Sequence, residues 1–201
     1  MTHFDFHFDP VCPFAWAASR WLVDQVGAHD ASVDWHVMSL AILNEDKEPH
    51  SDEQRRQLVT SRQLGRVFMA AIDESGPEGI GALYTATGRR VHRAGDETTP
   101  EVVSGILTEA GLPAELSAAM DDESFDDALR ASHRRSQDAL GEAGGSPITG
   151  IDGNHFFGPV LSDIPTGDEA DALFSSLVTL AGVSAFAQVK RPAGGPPSFS
   201  D

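Results

Sequence analysis

FDFHFDPVCPFAWAASRWL, residues 4–22, carries the protein's single cysteine and decides how the rest of the chain is read. Phe4, Phe6 and Phe8 alternate with Asp5 and His7, the period of a β-strand. Asp9-Pro10 ends the strand, because proline fixes its own φ and disfavours helix in the residue before it. Pro13 then suits the first turn of a helix. From Phe14 the apolar positions Ala17, Ala18, Trp21, Leu22 and Val26 recur at helical spacing, and Gly27 supplies a stop. Cys12 therefore falls between strand and helix. Unpaired backbone N–H groups there carry partial positive charge, which predicts a thiolate rather than a thiol.

Outward from this stretch, residues 32–43 begin with strand-like alternation, Val33, Trp35 and Val37 against Asp34 and His36. The run NEDKEPHSDEQ (44–54) is polar and broken by proline, hence a loop. From residue 52 to about 140 the periodicity is helical, with breaks at Gly76-Pro77, Gly95, Gly111 and Asp121-Asp122. It predicts helices near 53–75, 79–93, 99–110, 113–120 and 124–140. Thr99-Pro100 reads as an N-cap followed by proline at the first helical position. EAGGSP (142–147) punctuates the chain, and two short strands, 148–151 and 155–158, are joined at Asp152-Gly153, a hairpin signal. Residues 167–181 give an amphipathic helix, and the tail RPAGGPPSFSD is expected to run extended over the surface.

The order strand, helix, strand, helical block, hairpin, helix predicts an α/β fold. Its first two strands pair in parallel through the helix, and the hairpin closes a four-stranded sheet. This is the thioredoxin-like fold with an inserted all-helical domain. The expected divisions are 1–45 and 141–201 for the two parts of the thioredoxin-like unit and 46–140 for the insertion. In that plan a cis-proline faces the reactive sulfur, and the residue before it offers backbone groups to an extended thiol ligand. Ser146-Pro147 holds that place in the chain.

The formal charge of −17, from 31 acidic and 14 basic residues, argues against nucleic acid and anionic membranes as partners. A lone cysteine excludes an internal disulfide. The N-terminus lacks a signal-peptide pattern and no apolar run is long enough to span a membrane, so a soluble cytoplasmic protein is expected. Asp5, His7 and, closer to Cys12, Asp9 are candidate proton movers or simply polar groups on a half-buried strand. Phe14 and Trp16 flank the sulfur, either as platforms for a flat substrate or as core. No metal site is expected. The eight histidines show neither HExxH spacing nor a Cys/His cluster, and His3 and His7 share a strand face without a third ligand following nearby.

The stretches FDFHFDPVCPFAW, ASRWL, HVMSLAILNE, LYTATGRRVH, AGLPAEL, ALRASH and FFGPVLSDIPTGDEA together resemble the actinobacterial mycothiol-dependent nitroreductases, DsbA-like members of the thioredoxin superfamily. The resemblance covers nearly the whole chain. It implies Cys12 as the redox thiol, a helical lid, often a homodimer, and a cleft that accepts mycothiol and electrophilic or nitroaromatic compounds. It places Phe14 where the family has Trp in CPWC, Ser146 and Pro147 where Thr and the cis-proline are usual, and Asn44 at a pocket position. Pro13, Ala15, Trp16 and Phe157 complete the expected thiol and substrate contacts. Ala15 stands where the resolving cysteine would be, and a dithiol enzyme needs that second sulfur to release its own mixed disulfide.

Three functions follow as expectations. The first is a monothiol oxidoreductase or thiol-transferase in which Cys12 works with a low-molecular-weight thiol, mycothiol, on disulfides or electrophiles. The second is an enzyme like the kappa-class glutathione transferases and hydroxychromene-carboxylate isomerases, which activate a bound thiol. The third is a non-catalytic DsbA-like binding protein.

Overall fold

The computed structural model describes residues 1–192 and 194–199; the expected extended tail lies outside the described residues at Ala193, Ser200 and Asp201. Four strands form one sheet in the order β2-β1-β3-β4: β1 (Thr2–Phe8), β2 (Ala31–Val37), β3 (Ile148–Ile151) and β4 (Asn154–Phe157). β1 and β2 are parallel, joined by α1 (Pro13–Ala28), while β1–β3 and β3–β4 are antiparallel. The β3–β4 turn uses Asp152 and Gly153, both at positive φ (48° and 85°), as a two-residue hairpin matched to strand twist requires. The Asp152 carboxylate also accepts from the His3 N–H (2.9 Å), tying the hairpin to β1.

Period-two alternation on β1 separates two unlike faces. Phe4, Phe6 and Phe8 are fully buried on one. Phe8 stacks on Tyr84 with ring centroids 3.7 Å apart and meets Phe68 edge-on, and Phe4 packs on Phe174. Each buried phenylalanine contributes about 1.5–3 kcal/mol. These partners come from α3 (Asp52–Ser75), α4 (Ile80–Gly88) and α7 (Gly167–Ala181). The other face, with Asp5 and His7, lies toward α6 (Asp126–Leu140). That helix packs on the sheet through polar residues: the Ser132 hydroxyl donates to the Val37 carbonyl (2.6 Å). His7 is buried there, stacked on His36 at 4.7 Å, and among the described residues neither ring nitrogen has a hydrogen-bond partner; burial pushes its pKa down to about 3.

The helical block departs from its expected outline in three places. Residues 40–43, at the end of the run that begins with strand-like alternation, form α2 (Leu40–Leu43), capped by Ser39. A four-residue apolar run reads equally as strand or helix, and tertiary contacts decide. The helix expected over 79–93 is α4 followed by a π-helical turn, Arg89–Ala94. The helix expected over 113–120 is a 3₁₀ segment, Ala114–Asp121, beside α5 (Pro100–Glu109). Thr99 caps α5 as expected. Arg66 pins this region by gripping Asp126 with two hydrogen bonds (2.6 and 2.9 Å) and the Met120 carbonyl with a third.

α4 reaches α1 so closely that a Cβ at Gly88 would lie 2.1 Å from the Trp16 ring. Gly88→Ala is therefore expected to displace Trp16 and lower stability by about 2 kcal/mol, read as a lower urea midpoint at unchanged slope. No helix among the described residues is long and apolar enough to cross a membrane. In the tail Pro197 is buried, the Ser198 N–H donates to the Ser162 carbonyl (3.0 Å), and the Phe199 ring lies 6.2 Å from that of His92.

Candidate active site

Cys12 is the N-cap of α1, with extended backbone angles, and Pro13 opens the helix. Its S–H donates to the Ser146 carbonyl at 3.2 Å. The Ser146–Pro147 peptide bond is cis, as the chain order led us to expect, and both residues are buried. The backbone N–H groups of Ala15 and Phe14 hydrogen-bond toward the sulfur, favouring its anion.

Burial outweighs them. Cys12 is only 5% exposed, and loss of hydration, with the Asp9 charge nearby, pushes its thiol up to about 11 from an ordinary 9.0. The expectation of a thiolate held at the helix end is thus corrected. The helix terminus lowers the pKa as argued, but exclusion of water raises it further, and sequence shows only the first effect.

Asp9 organises the loop that carries the sulfur. Its carboxylate is fully buried and accepts from the Val11 N–H (2.8 Å), the Leu40 N–H (2.6 Å) and the Ser61 hydroxyl (2.5 Å). Its own N–H donates to the Ser146 hydroxyl (2.9 Å). Asp9, through its carboxylate and its backbone N–H, therefore joins the strand end, the start of α2, α3 and the Ser146-Pro147 segment. Burial raises the Asp9 pKa, and the three donors partly offset it. Its bonds to two backbone amides and a hydroxyl make it a positioning residue.

Two neighbours escaped the sequence reading. Tyr84, the single tyrosine, is fully buried and electrostatically coupled to Cys12, and its pKa is raised well above the usual value by burial. Its hydroxyl has no close hydrogen-bond partner among the described residues, and the nearby Ser19 hydroxyl donates to the Trp16 carbonyl (2.7 Å). His92 hydrogen-bonds through Nε2 to the Pro10 carbonyl (2.9 Å) and stacks on Trp16; burial lowers its pKa to about 4. Both sit in LYTATGRRVH, more than 70 residues after Cys12, and no local pattern marks them.

The remaining expected contacts divide. Ser146 meets the sulfur loop, and the cis-bonded Pro147 follows it into the hairpin, its carbonyl accepting from the Gly158 N–H (2.9 Å). Ala15 (0% exposed) and Trp16 (3%) are core; Trp16 packs against Tyr84, His92 and the Arg20 guanidinium. Phe14 is half-buried against the core. Asn44 caps the end of α2, its amide donating to the Leu40 carbonyl (2.8 Å). Phe157 lies on the edge strand β4, 47% exposed, with its ring beside Gly145. Asp5 and His7 lie on the sheet face turned from the Phe4, Phe6 and Phe8 core, and Asp5 pairs with His36.

The chain is similar to proteins that share this layout. It is 34% identical over 200 residues to the Uncharacterized protein Rv2286c of Mycobacterium tuberculosis, covering 96% of this chain and 83% of the relative. Among solved structures, a probable DsbA oxidoreductase from Streptomyces coelicolor superposes with a TM-score of 0.60 at 18% identity, covering 98% of this chain and 97% of the other. The cytosolic disulfide reductase DsbM from Pseudomonas aeruginosa, solved with GSH, superposes with a TM-score of 0.58 at 18% identity, covering 88% and 99%. Residues 11–191, nearly the whole chain, match the Rv2466c-like family, described as Mycothiol-dependent nitroreductase Rv2466c. With its strand–cysteine–helix junction set against a cis-proline, the chain belongs to this family of thiol-dependent oxidoreductases on the DsbA-like thioredoxin fold.

Proposed function

We propose that the protein is a single-thiol exchange enzyme in which Cys12 forms a mixed disulfide that mycothiol completes from outside. The observation that carries this reading is the Cys12 sulfur, 3.2 Å from the Ser146 carbonyl and aimed at by two helix N–H groups. Cys12 loses its proton and its sulfur attacks a disulfide; one S–S bond forms, one breaks, and the leaving thiolate takes up a proton. A second thiol then attacks the mixed disulfide and frees Cys12. That thiol leaves joined to the retained half of the substrate, and a further mycothiol displaces this half; two mycothiols thus become one disulfide and supply two electrons and two protons to the substrate disulfide. The Ser146-Pro147 edge is the proposed binding strip for the extended thiol. Asn44, Phe14 and Phe157 are proposed contacts at its margins. Pairing of two copies and a cytoplasmic setting belong to the same reading, and light scattering on the purified protein reports the first.

The test is incubation with oxidised mycothiol followed by intact mass measurement. One mycothiol adduct on the wild type and none on Cys12→Ser is the expected result. No adduct at neutral pH with the disulfide in excess would overturn the reading.

The raised thiol pKa makes the resting enzyme slow toward general alkylators. Two units of pKa remove about 99% of the thiolate, and greater nucleophilicity at a Brønsted slope near 0.5 regains roughly tenfold. Alkylation by iodoacetamide at pH 7.5 is therefore expected to run at least about tenfold slower than for free cysteine. A rate equal to that of free cysteine would contradict the buried, protonated state.

That state also favours a second reading, in which Cys12 stays protonated and donates to the sulfur of a bound thiol. Cys12→Ser keeps a donor at this position. Retained turnover in that variant selects the second reading, and complete loss selects the first.

A further inference from the structure

We infer a divalent-metal site, of zinc-like chemistry, on the outer face of the sheet at His3, Asp5 and Asp34. Spacing along β1 offered only His3 and His7. The parallel β1–β2 register adds what the linear sequence conceals: His3 pairs with Ser32, Asp5 with Asp34 and His7 with His36, so all six side chains share one face.

On that face His3 Nε2 lies 3.8 Å from Asp5 Oδ1 and 3.6 Å from Asp34 Oδ2. One donor atom from each of the three residues falls within 4.8 Å of the others. A tetrahedral zinc with bonds of about 2.0–2.1 Å holds its ligand atoms about 3.3 Å apart. The two His3–carboxylate spacings reach that value by movements of about 0.3–0.5 Å, and the two carboxylates, one part-buried and one exposed, have room to close on each other.

The surrounding groups are those that orient metal ligands. Ser32 Oγ lies 3.0 Å from His3 Nδ1. With Nδ1–H donated to that hydroxyl, the Nε2 lone pair points at the two carboxylates. His36 Nε2–H donates to the same Asp5 Oδ1 (2.8 Å), which holds that carboxylate in place. An imidazole with an oriented second nitrogen and a hydrogen-bonded carboxylate is the outer-shell arrangement that supports bound zinc. One nitrogen and two carboxylates suit a borderline cation such as Zn²⁺; the imidazole disfavours calcium and magnesium, and the lack of sulfur disfavours Cu(I). Three protein ligands leave a fourth position for water. The chain's charge of −17 draws cations toward it.

The test uses tag-free protein stripped with EDTA, titrated with CoCl₂ by visible absorption and with ZnCl₂ by calorimetry. One equivalent per chain, a tetrahedral cobalt spectrum and a higher melting temperature with zinc are expected. His3→Ala and Asp34→Ala, both at partly exposed positions, should weaken zinc binding at least tenfold, and Cys12→Ser should bind as the wild type. Absence of saturable binding below millimolar metal overturns the inference. So does unchanged affinity in His3→Ala and Asp34→Ala, or loss of binding in Cys12→Ser, which moves the metal to the sulfur.

Discussion

Asp9→Ala is expected to lower stability by about 4 kcal/mol, on the scale of removing one member of a buried polar network. The variant leaves the Val11 and Leu40 amides and the Ser61 hydroxyl without their acceptor in a site closed to water. For a chain of 201 residues this corresponds to a melting temperature lower by about 8–16 °C. Asp9→Asn retains the shape and one acceptor oxygen, but turns an N–H₂ toward a donor, so roughly half the loss is expected. The asparagine variant separates scaffold from chemistry. The Asp9 charge raises the Cys12 pKa. Removing it should bring the thiol titration below about 11 and speed alkylation at pH 8–9 while the protein remains folded. An unchanged titration midpoint in folded Asp9→Asn would show that the carboxylate does not act on the sulfur.

Mild acid is expected to remove about 3–4 kcal/mol of stability between pH 7 and pH 5. His92 and His7 carry this. Their folded pKa values are depressed to about 4 and about 3, while the unfolded chain titrates near 6.5. Below pH 6.5 the unfolded chain takes up protons that the folded chain refuses. Their stabilisation is thus complete above 6.5 and falls as pH drops toward the folded values. Each ring contributes at most about 1.4 kcal/mol per pH unit in that window. His133 shifts the same way through burial. Asp9 works in the opposite sense: its folded pKa is raised, so its term is fully favourable below 3.8 and is lost as pH rises through the folded value. Urea unfolding at half-unit steps from pH 7.5 to 5 measures the slope. His92→Gln keeps an N–H for the Pro10 carbonyl but cannot titrate, and should remove about half of it. A flat profile in the wild type would sink the account.

How much of this was legible in sequence depends on the distance over which each feature is built. The β1–Cys12–α1 junction and the Asp152-Gly153 turn rest on neighbouring residues, and both stand as read. The cis bond at Ser146-Pro147 followed from the order of elements rather than from local chemistry. Asp9 was partly visible: an Asp-Pro pair is a turn former whose carboxylate reaches the amide two residues on, as it does to Val11. Its links to Leu40 and Ser61 were not visible. The thiol's protonation escaped because it depends on water excluded by packing from distant parts of the chain. Tyr84 and His92 escaped for the same reason. Trp16, readable as a substrate platform or as core, proved to be core because α4 crosses α1 at Gly88.

Under the proposed single-thiol function, the methyl group at position 15 fixes the kinetic order of regeneration. A neighbouring sulfur would strike a mixed disulfide at the very high effective concentration of an intramolecular partner. Here Ala15 is sealed in the core, and the chain has no other sulfur nucleophile. On the proposed cycle each release is a collision with a molecule from solution. Turnover is then expected to scale with the free thiol pool instead of running on an internal clock, so the protein's pace would report how much reduced thiol its surroundings hold.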